Sequence, residues 1–321
     1  MTALIEVRNL VKKYGNHPAL DNLSFSVEEN QIFGFLGPNG AGKSTTMNII
    51  TGYLAPTSGQ VLINGHDIVE EPVAAKKCIG YLPEIPPVYM DMTPYEYLKF
   101  AGKAKGIEKS RLPEEIRSAM EKTSITDVQH RLIKTLSKGY RQRVGMAQAI
   151  LGDPKVIILD EPTVGLDPMQ IIEFRELVRE LGKDHTVILS SHILAEISEI
   201  CEKIMIISKG SLIAIDTPDN LSRQLDGGCL IAVRVKEGDG ERAYQLLQAL
   251  EKVTEVTAPV TEKGAALIEV KGSGNPQELQ ESISICLMEG KCPVLSIEDR
   301  EMSLEDIFIK LLEQQREEAE A

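Results

Sequence analysis

Between a short apolar run, "QIFGFL", and a helix-like stretch, "KSTTMNIITGYL", the chain carries Gly37-Pro38-Asn39-Gly40-Ala41-Gly42-Lys43-Ser44, followed by Thr45. This spacing is G-x-x-x-x-G-K-[ST], in which the glycines let the backbone wrap phosphate oxygens. Lys43 reaches the outer phosphates, and the Ser44 hydroxyl can ligate Mg²⁺. A strand must deliver the chain into this loop and a helix must leave it. That requirement places the segment in an α/β fold.

The remaining pattern agrees. "ALIEVRNL" and "ALDNLSFSVEENQIFGFLG" alternate or run apolar in short bursts, which predicts strands; residues 43–53 read as a helix, and "QVLINGHDI" and 78–82 as further strands. From 93 to about 152 the period turns helical, starting at Thr93-Pro94-Tyr95-Glu96, where an N-cap, a proline and a glutamate fall in capping order. Strands at "KVIILD", "TVILSS", "KIMIIS" and "SLIAID" then alternate with helices over 168–182 and 193–202. Such alternation predicts a mainly parallel sheet covered on both faces, with the helical stretch at about 84–152 as an insertion in it. After "TPDNLSRQLDGG" the pattern becomes strand 229–235, helix 240–252, strands 254–260 and 265–271, helix 275–289, strand 293–299 and helix 303–315, before an acidic tail at 316–321. The order βαββαβ predicts a small ferredoxin-like α+β domain. The expected division is therefore residues 1–222 and 223–321.

A net charge of −13 on 321 residues repels a phosphate backbone and argues against nucleic acid as a partner. Cys78, Cys201, Cys229, Cys286 and Cys292 are odd in number and lack CxxC spacing, so they read as reduced thiols rather than bridges or metal ligands. The N-terminal stretch "MTALIEVRNLVKKYG" carries charge too early for a signal peptide, and no apolar run approaches the roughly 20 residues of a membrane helix. The expectation is a cytoplasmic protein that docks onto something in a membrane.

Three further features carry chemistry. "VIILDE" ends an apolar strand in Asp160 and Glu161, and the C-terminal ends of parallel strands open into the ligand crevice. Asp160 is then placed for a metal and Glu161 to orient and activate an attacking water. "TVILSSH" ends at His192, which could reach the outer phosphate; His17, His66, His130 and His185 have no such context and read as structural. "TLSKGYRQR" brings Ser137 and Gly139 to the start of a helix, where unpaired amides and a positive dipole end attract an anion.

The phosphate loop, "LSKGYRQR" and the Asp–Glu strand, in that order, resemble the ATP-binding cassette ATPases over about residues 4–220, which implies a P-loop NTPase cassette with an antiparallel β subdomain beside the mainly parallel sheet. In that family the signature stretch binds the γ-phosphate of ATP held on the phosphate loop of a second copy, so two nucleotides are sandwiched between head-to-tail cassettes. The resemblance implies that Ser137 and Gly139 complete a partner's site, that Tyr14 stacks on adenine, and that Gly165-Leu166-Asp167 communicates across the dimer. His192 matches the family's switch histidine. Two positions depart from the usual pattern: Leu136-Ser137-Lys138-Gly139-Tyr140 stands for LSGGQ, and Glu84 stands where a glutamine usually links Mg²⁺ to the membrane subunit.

"GYLPE", "LSKGYRQRV" and "SLEDIFIKLL" are together similar to exporter ATPases of the gliding-motility and drug-resistance branch. The implied partners are integral membrane permease subunits on separate chains and a second cassette, a homodimer or a close homologue. The alternative is a soluble ABC-type ATPase with a regulatory or non-transport role. Residues 225–321 contain no ligand motif, and packing or dimerisation is the expected role of that domain.

Overall fold

The computed structural model describes residues 3–225, 229–250, 252–262, 264–272 and 275–299. The chain divides into two compact units, Met1–Pro218 and Asp219–Ala321.

The first unit begins with β1 (Ala3–Tyr14), β2 (His17–Glu28), β3 (Ile32–Leu36), α1 (Lys43–Ile50), β4 (Ser58–Ile63), β5 (His66–Asp67), α2 (Pro72–Lys77) and β6 (Ile79–Leu82). The helical insertion follows as α3 (Pro94–Ala104), α4 (Leu112–Lys122) and α5 (Lys138–Ile150). It then continues through β7 (Val156–Asp160), α6 (Pro168–Gly182), β8 (Thr186–Ser191), α7 (Leu194–Ser198), β9 (Lys203–Ser208) and β10 (Ser211–Asp216). β2-β1-β4-β5 form an antiparallel sheet, and β10-β9-β3-β8-β7-β6 form the main sheet. In the main sheet only the β9–β10 pair is antiparallel. β3, β7 and β8 are buried along their whole length, which explains why they read as unbroken apolar runs rather than alternating ones.

One core joins the two sheets across α1. Phe25 of β2 stacks on Phe33 and meets Phe35 edge-on at 5.1 Å between centroids. Phe33 and Phe35 are fully buried, and each such burial contributes about 1.5–3 kcal/mol. This packing fixes β3, and therefore the loop that follows it.

Several elements differ from expectation, among them α2, which the pattern does not mark. "QVLINGHDI" is two strands, because Asn64 and Gly65 both take positive φ (50° and 81°) and turn the chain in the Asn-Gly manner of a tight hairpin. The helix expected over 193–202 is only α7. The strand expected at 254–260 divides around Pro259, which cannot donate to a ladder.

α8 (Pro218–Leu225) spans the junction. The second unit contains β11 (Cys229–Lys236), α9 (Gly240–Gln248), β12 (Val253–Val256), β13 (Val260–Glu262), β14 (Ala265–Gly272), α10 (Pro276–Glu289) and β15 (Val294–Asp299). Its sheet order is β12-β14-β11-β15, with β13 added on β14 and every pairing antiparallel. Setting β13 aside, this is the strand order of a ferredoxin-like fold. The expected helix 303–315 and the acidic tail lie outside the described residues.

Candidate functional site

β3, β8 and β7 are neighbours in the main sheet and run in the same direction, so their C-terminal ends lie together: Leu36 faces Ser191, and Asp160 faces Ser190. The loops leaving these three strands surround a cavity of about 710 Å³. Pro38, Asn39, Gly40, Gly42, Lys43, Ser44, Thr45, Glu84, Glu161 and His192 line it, a crevice at the carboxyl ends of strands as parallel sheets provide.

Lys43 opens α1 behind Gly42, whose φ of +106° suits glycine. The buried ammonium donates to the Gly37 carbonyl at 2.7 Å and lies 3.2 Å from Glu161 Oε1. The other oxygen of Glu161, Oε2, is 2.8 Å from His192 Nδ1. A cation and an imidazole thus fix one carboxylate on the cavity wall.

Ser190 anchors both acidic residues. Its hydroxyl donates to Asp160 Oδ1 at 2.5 Å and accepts the Glu161 N–H at 2.9 Å. The second bond holds Glu161 at a φ of +46°, a conformation that costs a non-glycine residue about 1–3 kcal/mol. Burial pushes the Asp160 carboxyl above the usual carboxylate range. Hydrogen bonds from Ser190 and Ser44 and the Lys43 charge pull it back, while the charge of Glu161 adds to the rise.

The sequence matches the ABC transporter family over residues 20–164. It is 34% identical over 310 residues to the uncharacterized ABC transporter ATP-binding protein YxlF of Bacillus subtilis, covering 96% of this chain and 99% of that protein. The chain belongs to the ABC transporter ATP-binding proteins. The linearmycin resistance ATP-binding protein LnrL of the same organism is 32% identical, over 96% of this chain and 98% of its own length. A solved ATP-binding subunit of an ABC transporter superposes with a TM-score of 0.63 at 32% identity, covering 69% of this chain and 92% of that one. This ABC protein therefore binds and hydrolyses ATP, and its phosphate loop lines the cavity.

Not every expected site residue faces the cavity of this ABC ATPase. Tyr14 is half-exposed beneath the Lys12 ammonium and is not among the lining residues, although its cross-strand partner His17 is. Ser137 and Gly139 also lie outside it. Ser137 caps α5 by accepting the Tyr140 N–H, and a Cβ on Gly139 would come within 2.7 Å of the Gln170 amide. Gln170 belongs to the capping box of Asp167 at the start of α6, so the Asp167 loop packs beside the signature helix. Gly37, Ala41 and Asp160 are buried and are not among the lining residues either.

Five lining residues had no sequence signal: His17, Pro18 and Ala19 from β2, Val164 three positions after Glu161, and Lys209 from the β9–β10 turn. The turn is fastened to the phosphate loop by the Gly210 N–H donating to the Ala41 carbonyl, and to β2 by Asp21 N–H donating to Gly210. Their placement depends on sheet packing, which no local pattern encodes.

The signature helix is also fixed at its far end. Lys105 donates to the carbonyls of Gln148, Ala149 and Leu151 at 2.7, 3.1 and 2.7 Å, capping the negative end of α5 with a cation. Burial pulls its ammonium from 10.5 down to about 8, with Glu115 opposing. Between pH 8 and 10.5 the unfolded chain therefore holds a proton here that the folded chain has released. Stability gains with rising pH across that window, by up to about 3 kcal/mol. Parallel urea unfolding of the wild type and Lys105→Met should show the wild type gaining on the variant from pH 7.5 to 10. A constant difference would refute the assignment.

Proposed function

We propose that this chain is the ATP-hydrolysing subunit of an ABC exporter, in which two cassettes close head to tail around two ATP molecules and drive separate membrane permease subunits. The observation that carries this reading is the separation of the site: phosphate loop, Glu161 and His192 share one cavity, while Ser137 and Gly139 lie outside it. A signature stretch that does not face its own cavity fits one that completes the site of a second copy, the same chain or a close homologue. The export direction follows the linearmycin resistance relative. Among the described residues no helix is long and apolar enough to cross a membrane, and the subunit works at the cytoplasmic face.

Within each site, Lys43 and the amides of the phosphate loop bind the outer phosphates of ATP, Glu161 orients and deprotonates the attacking water, and His192 holds the outer phosphate. The donor set suits Mg²⁺: the Ser44 hydroxyl hydrogen-bonds to Asp160, and Glu84 lines the same cavity, so hard oxygen ligands converge there. Bound Mg²⁺ would neutralise phosphate charge. Residues 1–222 form the nucleotide-binding domain and 223–321 an accessory domain.

The permease surface is assigned to the segment after Glu84. Ile85 is 81% exposed, and Tyr89, Met90 and Phe100 are about half exposed, with the Tyr89 ring 5.4 Å from that of Phe100. Contiguous exposed apolar side chains of this kind mark a protein interface. Tyr95, further along the same segment, is half-buried with Lys99 over its ring, so it is not part of the proposed surface. Affinity purification from membranes tests the reading: the wild type should retain an integral subunit, and Tyr89→Asp should lose most of it while still binding ATP. A chain that retains no membrane protein points to a soluble ATPase instead.

A further inference from the structure

A third carboxylate is buried beside the cavity, and none of the roles above uses it. Glu196 lies on α7 and is 7% exposed. Its Oε2 accepts two hydroxyl groups, Thr163 Oγ1 at 2.6 Å and Ser191 Oγ at 3.2 Å. Ser191 Oγ also accepts the Ile193 N–H at 3.0 Å. Thr163 stands two residues after Glu161, and Ser191 immediately precedes His192. One oxygen atom therefore ties the segment carrying Glu161 to the segment carrying His192.

The tie has a firm base. Ile197, next to Glu196, is fully buried, and a Cβ on Gly34 of β3 would come within 2.4 Å of its Cγ2. α7 can approach the sheet this closely only because residue 34 is glycine. None of Thr163, Ser191 and Glu196 lines the cavity.

We propose that Glu196 is a positioning residue for ATP hydrolysis, holding the Glu161 and His192 segments at a fixed separation through Thr163 and Ser191. The proposal rests on the roles given above to Glu161 and His192. Those two side chains now bond to each other at 2.8 Å, but a phosphate and an attacking water compete for the same atoms. Their mutual bond cannot keep the two segments in register during turnover. The tie through Glu196 uses none of those atoms and persists. Stability alone gives no reason for a carboxylate here, because burying one carries a desolvation cost that an apolar side chain avoids. Holding two hydroxyl groups from different loops is something an apolar side chain cannot do. Small displacements of catalytic groups matter, since an error of about 1 Å can lower a rate about 100-fold.

The test is steady-state ATP hydrolysis by the full chain, with titration of a fluorescent ATP analogue. Glu196→Ala and Thr163→Val should each lower kcat about 10-fold or more, with KM for ATP and analogue affinity within about two-fold of wild type. Glu196→Gln keeps an acceptor oxygen in the same place and should restore kcat to within about three-fold. The double variant Thr163→Val/Glu196→Ala should be no slower than its slower parent, because both cut one tie. Thr163→Val is nearly isosteric and decides the matter if Glu196→Ala fails to fold. The proposal is overturned by a Thr163→Val kcat within two-fold of wild type, by losses that multiply in the double variant, or by a raised KM with kcat intact. Glu161→Gln is assayed alongside: if it retains turnover, the underlying reading of the site fails, whereas an inactive Glu161→Gln beside an unaffected Thr163→Val removes this proposal alone.

Discussion

Glu161→Gln is expected to lower ATP turnover by about two orders of magnitude or more while leaving nucleotide affinity within a few-fold of wild type. Gln has the shape of Glu and keeps an oxygen for the Lys43 ammonium, 3.2 Å from Glu161 Oε1. Its amide can donate to His192 Nδ1, which lies 2.8 Å from Oε2. The Ser190 bond to the backbone N–H at residue 161 does not depend on the side chain. The loop should therefore stay in place, and only the capacity to take a proton from water is lost. ATP then enters and is not split, so the closed dimer should accumulate. Size-exclusion chromatography with Mg-ATP should show a dimer peak for the variant that the wild type, consuming its ATP, does not hold. Turnover within ten-fold of wild type and no added dimer would mean that another group activates the water.

How legible this site was in the sequence depended on how local each part is. The phosphate loop, the Asp160–Glu161 pair and His192 each follow a strand whose whole length is buried, so an apolar run ending in a polar residue marked each one. α6 is equally plain: Asp167 and Gln170 form its capping box with Pro168 in the first turn, and its observed span, Pro168–Gly182, matches the expected one. The hairpin at Asn64-Gly65 is hard to read although its turn residues are adjacent, because its second strand is only His66–Asp67, too short to show a strand pattern. His17 and Lys209 could not be found from local pattern. They reach the cavity only because β2 and the β9–β10 turn are both fastened near Ala41. Glu196 is the clearest case. In sequence it is one acid on a short amphipathic turn, and its meaning comes from Thr163, which the fold brings to it from 33 positions away.

Glycines give a related lesson. Gly139 reads from sequence as a residue that frees amides for a phosphate. In the fold it also makes room for Gln170, so the helix start at Ser137 and the Asp167 loop are packed as one surface. A nucleotide contacted by Ser137 on a partner's cassette would thus be felt directly at the start of α6.

That arrangement leads to the second large effect, a contrast between two inactive variants. Lys43→Ala should abolish most nucleotide binding, because it removes a buried ammonium that donates to the Gly37 carbonyl and faces the cavity. Losing charge-assisted hydrogen bonds worth about 1.5–3 kcal/mol weakens binding roughly 10- to 100-fold. Ser137→Arg should bind ATP as the wild type does, since Ser137 is not part of its own cavity, yet lose hydrolysis by about 100-fold because the long side chain prevents closure on the partner's nucleotide. Loss of the cap on α5 costs about 1 kcal/mol, and the Ser137–Tyr140 bond of 3.3 Å is a long one, so the variant should fold. Binding is read by titration of a fluorescent ATP analogue with each variant alone, hydrolysis by phosphate release, and folding by melting temperature. Mixing the variants forms one composite site with an intact phosphate loop and an intact signature, and partial activity there would add direct support for a shared site. A folded Ser137→Arg chain that hydrolyses ATP at the wild-type rate would rule out completion of the site by a second copy, because every catalytic group would then have to come from the cavity of a single chain.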